Sequence, residues 1–187
     1  MNLINNISYT LCRSQQDIDN LYAYIHGYEY AAYPKEALID TKYKDFYSAF
    51  CERLNTAKGK LRKNAILMVD IVVRYPHNNQ PNKIINPLLM EEWKKASVTV
   101  IQRIFGDENV IAATFHDIPG DYHIHFAIVP IIKGKLCWSR YMQYTYVNKF
   151  EVDYSNMMNE EMYSRINSLL ISKSVATLKI EITAALR

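Results

Sequence analysis

The sequence predicts an α+β fold in which a central antiparallel sheet carries helices packed on one face. Hydrophobic residues make up 49% of the 187 residues and charged residues 22%, as in a globular chain with a sizeable core. Strand and helix patterns alternate along the chain, and two strand patterns are separated only by a short Pro-Gly turn. Strands connected so briefly pair antiparallel, and the resulting sheet is covered by helices.

The first half of the chain contains two strand patterns and two helix patterns. Residues 7–12 have apolar side chains on both faces of a strand, and residues 17–33 are tyrosine-rich and fit a helix or an ordered loop. Residues 45–56 repeat apolar side chains at helical spacing. Residues 65–74 are almost wholly apolar and branched, which is typical of a buried strand, and Asp70 interrupts them.

The second half begins with a loop over residues 76–87. Asn86 can cap the helix that follows, and Gly106 ends it. Residues 109–115 and 122–132 are predicted as strands. The remaining elements are a turn at 133–135, a helix at 155–172 and a final strand at 177–183.

The chain length favours a single domain over residues 1–187, with a core at 7–150 and a C-terminal helical extension at 151–187. No apolar run approaches the roughly 18 residues that a membrane span needs. The first residues do not resemble a secretory signal. Three widely spaced cysteines argue against a disulfide framework, so we expect a cytoplasmic protein.

Three of the five histidines fall within ten residues. His123 and His125 alternate on a strand, so both imidazoles lie on one face, and His116 ends the preceding strand. If the two strands pair through their turn, the three imidazoles converge with coordination positions left open. Zinc, manganese and magnesium are all possible, and three nitrogens favour a transition metal. The alternative is a hairpin that carries three histidines and no ligand.

The net charge of +3 hides two basic segments, 53–63 and 133–150, that contain no acidic residue. The second segment interleaves its cations with aromatic residues, a combination that suits phosphates and unpaired bases of single-stranded DNA. A solvated basic helix whose aromatic side chains face the core is the alternative. The candidate DNA-binding residues are Lys58, Lys60, Arg62, Lys63, Lys133, Lys135, Trp138, Arg140, Tyr144 and Lys149.

Residues 116–125, with the sequence HDIPGDYHIH, resemble the signature of the MobV (Mob/Pre) plasmid relaxases of the HUH endonuclease superfamily. That signature reads His-x-Asp-Glu-x-x-Pro-His-x-His, and the three histidines of this sequence occupy its three histidine positions. The resemblance extends over most of residues 8–150 and is most specific at the histidines. It implies an HUH relaxase-like fold, related to ferredoxin-like and palm folds.

The resemblance also implies a function. Such an enzyme nicks single-stranded or supercoiled plasmid DNA at an origin of transfer, through a covalent protein–DNA intermediate. A divalent metal is held by His116, His123 and His125, with Mn²⁺ preferred and Mg²⁺ or Zn²⁺ as alternatives. Asp70 contacts the metal or orients a ligand, His26 is the nucleophile and Arg13 clamps the phosphate. A homodimer through regions outside this chain is a further expectation.

The sequence departs from the signature at Ile118 and Pro119, which replace its two acidic residues. Asp117 or Asp121 can supply a carboxylate from the same turn. The departure raises the alternative of a relaxase-like DNA-binding protein that has lost cleavage. A third alternative is a rolling-circle replication initiator, because Tyr146 begins a Tyr-x-x-Lys pattern, and a tyrosine between residues 22 and 30 is another candidate nucleophile.

Overall fold

The computed structural model describes residues 7–26, 33–39, 45–76, 86–142 and 147–185. A five-stranded antiparallel sheet lies at its centre, with the strand order β1-β3-β5-β4-β2. A separate two-stranded hairpin, β6-β7, follows β5. The strands are Ile7–Cys12 (β1), Lys35–Ala37 (β2), Met68–Arg74 (β3), Val110–His116 (β4), His123–Ile128 (β5), Ile131–Ile132 (β6) and Lys135–Leu136 (β7).

Five α-helices are described, and their ends follow the sequence signals. Asp45 accepts a hydrogen bond from the Ser48 amide (2.8 Å) and caps the second helix. Asn86 caps the third, and Gly106, at φ 89°, ends it. The helices are Gln15–His26 (α1), Phe46–Asn55 (α2), Pro87–Phe105 (α3), Trp138–Met142 (α4) and Val147–Ala185 (α5).

Helices cover both faces of the sheet, so the expectation of one covered face is wrong. One cluster of buried side chains lies between the sheet and α3 with α5, and includes Ile71, Phe126 and Trp93. The other lies between the sheet and α1 with α2, and includes Met68 and Phe50. The physical reason is that β3 and β5 carry apolar side chains on both faces. Both strands are buried along almost their whole length.

Two further predictions of secondary structure are corrected. Residues 177–183 continue α5 instead of forming a strand, and no Gly or Pro after Gly134 interrupts that helix. The predicted strand over 122–132 is divided at Val129 and Pro130 into β5 and the first strand of the hairpin. Residues 27–32 and 77–85, where helix or loop was predicted, lie outside the described residues.

The helix predicted over residues 155–172 is the middle part of the longer α5, Val147–Ala185. The other predicted elements, where the structure describes them, agree with it to within a few residues at their ends. Within the described part of the chain, no helix combines the length and the apolar character needed to cross a membrane.

Asn109 connects several elements through hydrogen bonds at the end of the sheet that lies far from the histidines. Its amide nitrogen donates to the carbonyl of Ile131 (2.9 Å), and its oxygen accepts from two nitrogens of Arg53 (2.7 and 2.9 Å). Arg53, a member of the first basic segment, is therefore engaged by the protein itself.

We expect Asn109→Ala to lower the free energy of unfolding by about 2 kcal/mol, because the buried Ile131 carbonyl loses a hydrogen-bond donor. Urea denaturation followed by circular dichroism measures the change. Asn156→Ala, at an exposed position of α5, is the matched control and should change stability little. Equal losses in the two variants would contradict this account of Asn109.

Candidate metal centre

The β4–β5 hairpin brings His116, His123 and His125 together on one face of the sheet. His116 lies directly opposite His123 in the strand pairing, and His125 is the next residue on that face. One nitrogen from each ring lies within 4.8 Å of the other two. The ring centroids are 4.9 to 5.1 Å apart. The convergence expected from the sequence is therefore present, and we call these three residues the histidine triad.

Burial favours the neutral form of His116 and His123. The three side chains of the triad are only 1 to 3% exposed. Burial, together with the neighbouring His125 and His123, lowers the pKa of His116 to about 3, and burial also lowers the pKa of His123. A neutral imidazole has the lone pair that a metal requires, so these two histidines are in their ligating form at neutral pH.

Hydrogen bonds behind the rings set the direction of two lone pairs. His125 Nδ1 donates to the Asp70 carboxylate (2.9 Å to Oδ2), and His123 Nδ1 donates to the carbonyl of Asp121 (2.6 Å). The opposite nitrogen of each ring is then an acceptor. His125 Nε2 is buried and has no hydrogen-bond partner among the described residues. A buried acceptor without a donor, beside two further imidazoles, fits a bound transition metal.

Asp70 thus bonds to the back of the His125 ring and is not itself one of the candidate metal ligands. It belongs to β3, where it replaces an apolar residue in an otherwise hydrophobic strand. The group of nitrogens that can share one ion contains the three histidines and no carboxylate of the described residues. Of the two roles that the resemblance offers for Asp70, the geometry supports orientation of a ligand histidine.

The C-terminal end of α1 lies against the triad. The ring of Tyr24 meets His125 edge-on with centroids 5.9 Å apart, and 46% of Tyr24 is exposed. His26 is exposed and packs on Tyr22, with centroids 4.5 Å apart. Partial desolvation lowers the pKa of His26, and the nearby Lys35 and His125 lower it further. Two candidate nucleophiles, Tyr24 and His26, are therefore next to the candidate metal site.

Arg13 is not brought to the triad. It follows Cys12, which pairs with Met68, whereas His125 lies at the level of Val72 in the same sheet. Four strand residues separate those levels, or about 13 Å. The antiparallel pairing puts Arg13 near the opposite end of the sheet, which does not support Arg13 as a clamp for a phosphate at the metal.

Two other cationic side chains flank the triad, and neither was predicted from the sequence as a site residue. Lys35 pairs with His116 across β2 and β4, and Arg74 pairs with His123 across β3 and β5. Arg74 is four residues after Asp70 in one strand, so both side chains belong to the same face. That even spacing was the signal available in the sequence.

Neither acidic residue of the turn between β4 and β5 belongs to the group of side chains that could share one metal ion. Asp117 is exposed, and its amide donates to the carbonyl of Pro34 (3.1 Å). The Asp121 carboxylate lies 3.5 Å from Arg74 Nε and 3.5 Å from His123 Nδ1, on the outer side of that ring. Asp121 therefore supports His123 through its backbone, while its side chain faces Arg74.

The two basic segments meet in one groove of about 700 Å³, which we call the basic groove. The Lys58 amide donates to the carbonyl of Gly134 (2.6 Å), which joins the segments. The groove lies beside the β6–β7 hairpin, beyond the end of β5 that is farthest from the triad. Its cationic lining residues are Lys58, Lys60, Arg62 and Lys135.

The other candidate DNA-binding residues differ in their relation to the groove. Trp138 lines it, but only 7% of Trp138 is exposed and its ring packs against Tyr9 and Phe105, so most of this side chain belongs to the core. Lys63, Lys133 and Arg140 are exposed but do not line the groove. Tyr144 and Tyr146, together with the side chain of Lys149, lie outside the described residues.

The antiparallel sheet carries His-x-His on its central strand and a third histidine on the adjoining strand, which is the arrangement expected from the resemblance to the HUH endonucleases. The family model of the plasmid recombination enzymes (Mob_Pre) matches residues 18–165. The chain belongs to this family. No curated protein matches the sequence.

Solved structures of the MobM relaxase domain (MOBV; Mob_Pre), bound to plasmid pMV158 oriT DNA, have a similar fold. A Mn-bound complex with 22-nucleotide DNA and a 3′ thiophosphate has a TM-score of 0.62 at 12% identity, covering 86% of this chain and 87% of that one. Another Mn-bound 22-nucleotide complex gives 0.60 at 13%, covering 83% and 87%. A 26-nucleotide complex gives 0.60 at 12%, covering 86% and 87%.

We expect Asp70→Asn to weaken Mn²⁺ binding roughly 10- to 100-fold, because the amide holds His125 less firmly than the carboxylate does and cannot raise its basicity as the charge does. Isothermal titration of the purified chain with MnCl₂ measures the affinity. Glu160→Gln removes a carboxylate from an exposed position of α5 and should bind as the wild type does. Wild-type affinity in Asp70→Asn would exclude a role for Asp70 in metal binding.

Proposed function

We propose that this chain is a relaxase that nicks one strand of plasmid or mobile-element DNA at an origin of transfer, in the cytoplasm. The observation that carries the proposal is the buried, convergent histidine triad with Asp70 behind it, in a member of the plasmid recombination enzyme family. A set of three nitrogens with open positions suits a metal used in catalysis better than a structural one.

A divalent metal on the triad supplies the Lewis acid that polarises a phosphate oxygen during DNA cleavage. Mn²⁺ is our first choice, with Mg²⁺ or Zn²⁺ as alternatives. Three nitrogen ligands favour a transition metal over Mg²⁺, and the MobM relaxase domain has been solved with Mn bound. Asp70 holds the ring of His125 through Nδ1, so that the second ring nitrogen would be free to bind the metal.

We propose His26 as the nucleophile. Its lowered pKa leaves the imidazole neutral near pH 7, with a lone pair for attack. A ring nitrogen forms a bond to the scissile phosphorus, and the bond to the 3′ oxygen breaks. The 3′ oxygen takes up a proton from water and leaves as a hydroxyl, the other ring nitrogen of His26 gives up its proton to water, and the 5′ phosphate remains on the protein. Tyr24 is the competing nucleophile, since its exposed ring lies against His125.

We propose that the basic groove binds the DNA backbone away from the cut. Four cations and no acidic residue line it, as a polyanion requires. The groove and the triad lie near opposite ends of the sheet, so a bound strand contacts the protein at two separate places.

The second candidate function is DNA binding without cleavage. Ile118 and Pro119 provide no carboxylate. Among the described residues, the group that could share one metal ion contains the three histidines and neither acidic residue of the turn. The same experiment that tests nicking separates the two candidates, because such a protein retains DNA but never becomes linked to it.

We expect the wild-type chain with Mn²⁺ to become covalently attached to specific members of a randomised single-stranded DNA library, while His123→Ala forms no adduct. Loss of one imidazole removes a metal ligand, and cleavage depends on the metal. Denaturing gels and sequencing of the attached DNA report the reaction. His123→Ala must retain the wild-type circular dichroism spectrum. Tight DNA binding without any adduct, whichever divalent ion is added, would favour the second candidate.

The attached residue is identified by peptide mass spectrometry of the adduct. We expect DNA on His26, no adduct in His26→Ala, and a retained adduct in Tyr24→Phe. An adduct on Tyr24 would transfer the role to that tyrosine. An adduct on Tyr146 would support the replication-initiator alternative.

We expect Lys60→Ala and Lys135→Ala each to weaken binding of single-stranded DNA and to lower the slope of log affinity against log salt by about 0.7. Fluorescence anisotropy across a salt series measures both quantities. Lys95→Ala, on α3 and paired with Glu92, is the matched control and should leave the slope unchanged. Equal slopes in all variants would remove the basic groove from the DNA-binding surface.

A further inference from the structure

Arg74 is a cation built into the rim of the triad. It is the last residue of β3 and pairs with His123 on β5, while Asp70 of the same strand holds His125. Residues 70 and 74 belong to the same face of the strand. One strand therefore supplies both the carboxylate behind a candidate ligand and a guanidinium next to another.

The guanidinium of Arg74 is held in place but keeps access to solvent. Its Nη1 donates to the hydroxyl of Ser8 (3.2 Å), and its Nε lies 3.5 Å from the Asp121 carboxylate. The side chain is 41% exposed. Because an arginine has five N–H donors, these two contacts leave donors for a ligand on the exposed side. A planar donor in a fixed position suits two oxygens of one phosphate.

The charges around the triad call for an anion. Arg74 lies opposite His123, and Lys35 lies opposite His116, in the strand pairing. The carboxylates of Asp70 and Asp121 balance these two cations, so a divalent ion placed at the triad would leave a net positive charge there. A phosphate bound at the same point interacts favourably with the ion and both side chains. The rim thus matches a metal with a phosphodiester on it better than a metal alone.

We propose that Arg74 binds the non-bridging oxygens of the phosphodiester at the triad, the role that the sequence suggested for Arg13. The proposal rests on the proposed relaxase function. Arg74 positions the phosphate and offsets charge that develops on its oxygens. The competing explanation is structural, in which the pair of Arg74 with Asp121 only orders the turn that precedes His123.

A scan of neutralised phosphates distinguishes the two roles without requiring cleavage. The probe is a single-stranded oligonucleotide selected from a randomised library by binding to the wild-type chain. Each phosphate is replaced in turn by an uncharged methylphosphonate, and affinity with Mn²⁺ is measured by fluorescence anisotropy. We expect one position at which neutralisation weakens wild-type binding roughly tenfold, as the loss of a charged hydrogen bond does.

In Arg74→Ala we expect a similar tenfold loss on unmodified DNA and no further loss at that one position. Arg74→Lys should recover part of the affinity, because it restores charge without the fork of donors. Arg103→Ala is the matched control, since Arg103 pairs with Glu161 between α3 and α5. It should keep the full wild-type profile. Mn²⁺ titration should give the same affinity in Arg74→Ala as in the wild type, or a higher one.

The proposal is overturned if every position that matters in the wild type matters equally in Arg74→Ala, or if this variant loses Mn²⁺ affinity as a disordered turn requires. Failure of the relaxase function gives a different result. In that case no covalent adduct forms on any DNA, while the phosphate profile still depends on Arg74. A wild-type chain that binds no DNA would overturn both.

Discussion

The pairing of β4 with β5 decides where the imidazoles lie, and the rest of the site depends on it. His116 stands opposite His123, so the third imidazole joins the other two on the face towards α1. A slip of one residue would turn a strand's side chains to the opposite face, where Phe126 and Ile124 pack under α3 and α5. The hydrophobic residues between the histidines therefore hold the pairing that the metal site needs. Packing and chemistry are specified by alternate residues of the same strand.

The site introduces polar groups into a part of the sheet that is otherwise apolar. Asp70 and the three histidines are almost completely buried. Burial of a carboxylate is costly unless it is hydrogen-bonded, and the bond from His125 provides that compensation. The remaining acceptor, His125 Nε2, receives no such compensation from the described residues. A ligand that accepts its lone pair would complete the pattern, which is why the cluster suggests a metal more strongly than three surface histidines would.

The two ends of the sheet have different properties. At one end lie the triad, the end of α1 and the flanking cations Lys35 and Arg74. At the other lie the basic groove and the Asn109 network, which joins α2, β4 and the β6–β7 hairpin. Under the proposed function, a long DNA strand would contact the basic groove at a point well separated from the phosphate at the triad. Such a separation allows recognition of DNA and cleavage to be altered independently by mutation.

Local patterns in the sequence predicted α2, α3 with both of its caps, the middle of α5, the four longest strands, and the face on which the three histidines lie. These features depend on the spacing of apolar residues and on short-range hydrogen bonds, which are properties of neighbouring residues. Whether Arg13 or Arg74 approaches the triad depended on the tertiary structure. Each is at or just beyond the end of a strand, and only the antiparallel order β1-β3-β5 determines which end adjoins His123. The burial of Trp138 also depended on the tertiary structure, because its partners Tyr9 and Phe105 come from distant parts of the chain. A sequence pattern specifies the direction of a side chain along its own element, whereas its neighbours are decided by how the elements pair.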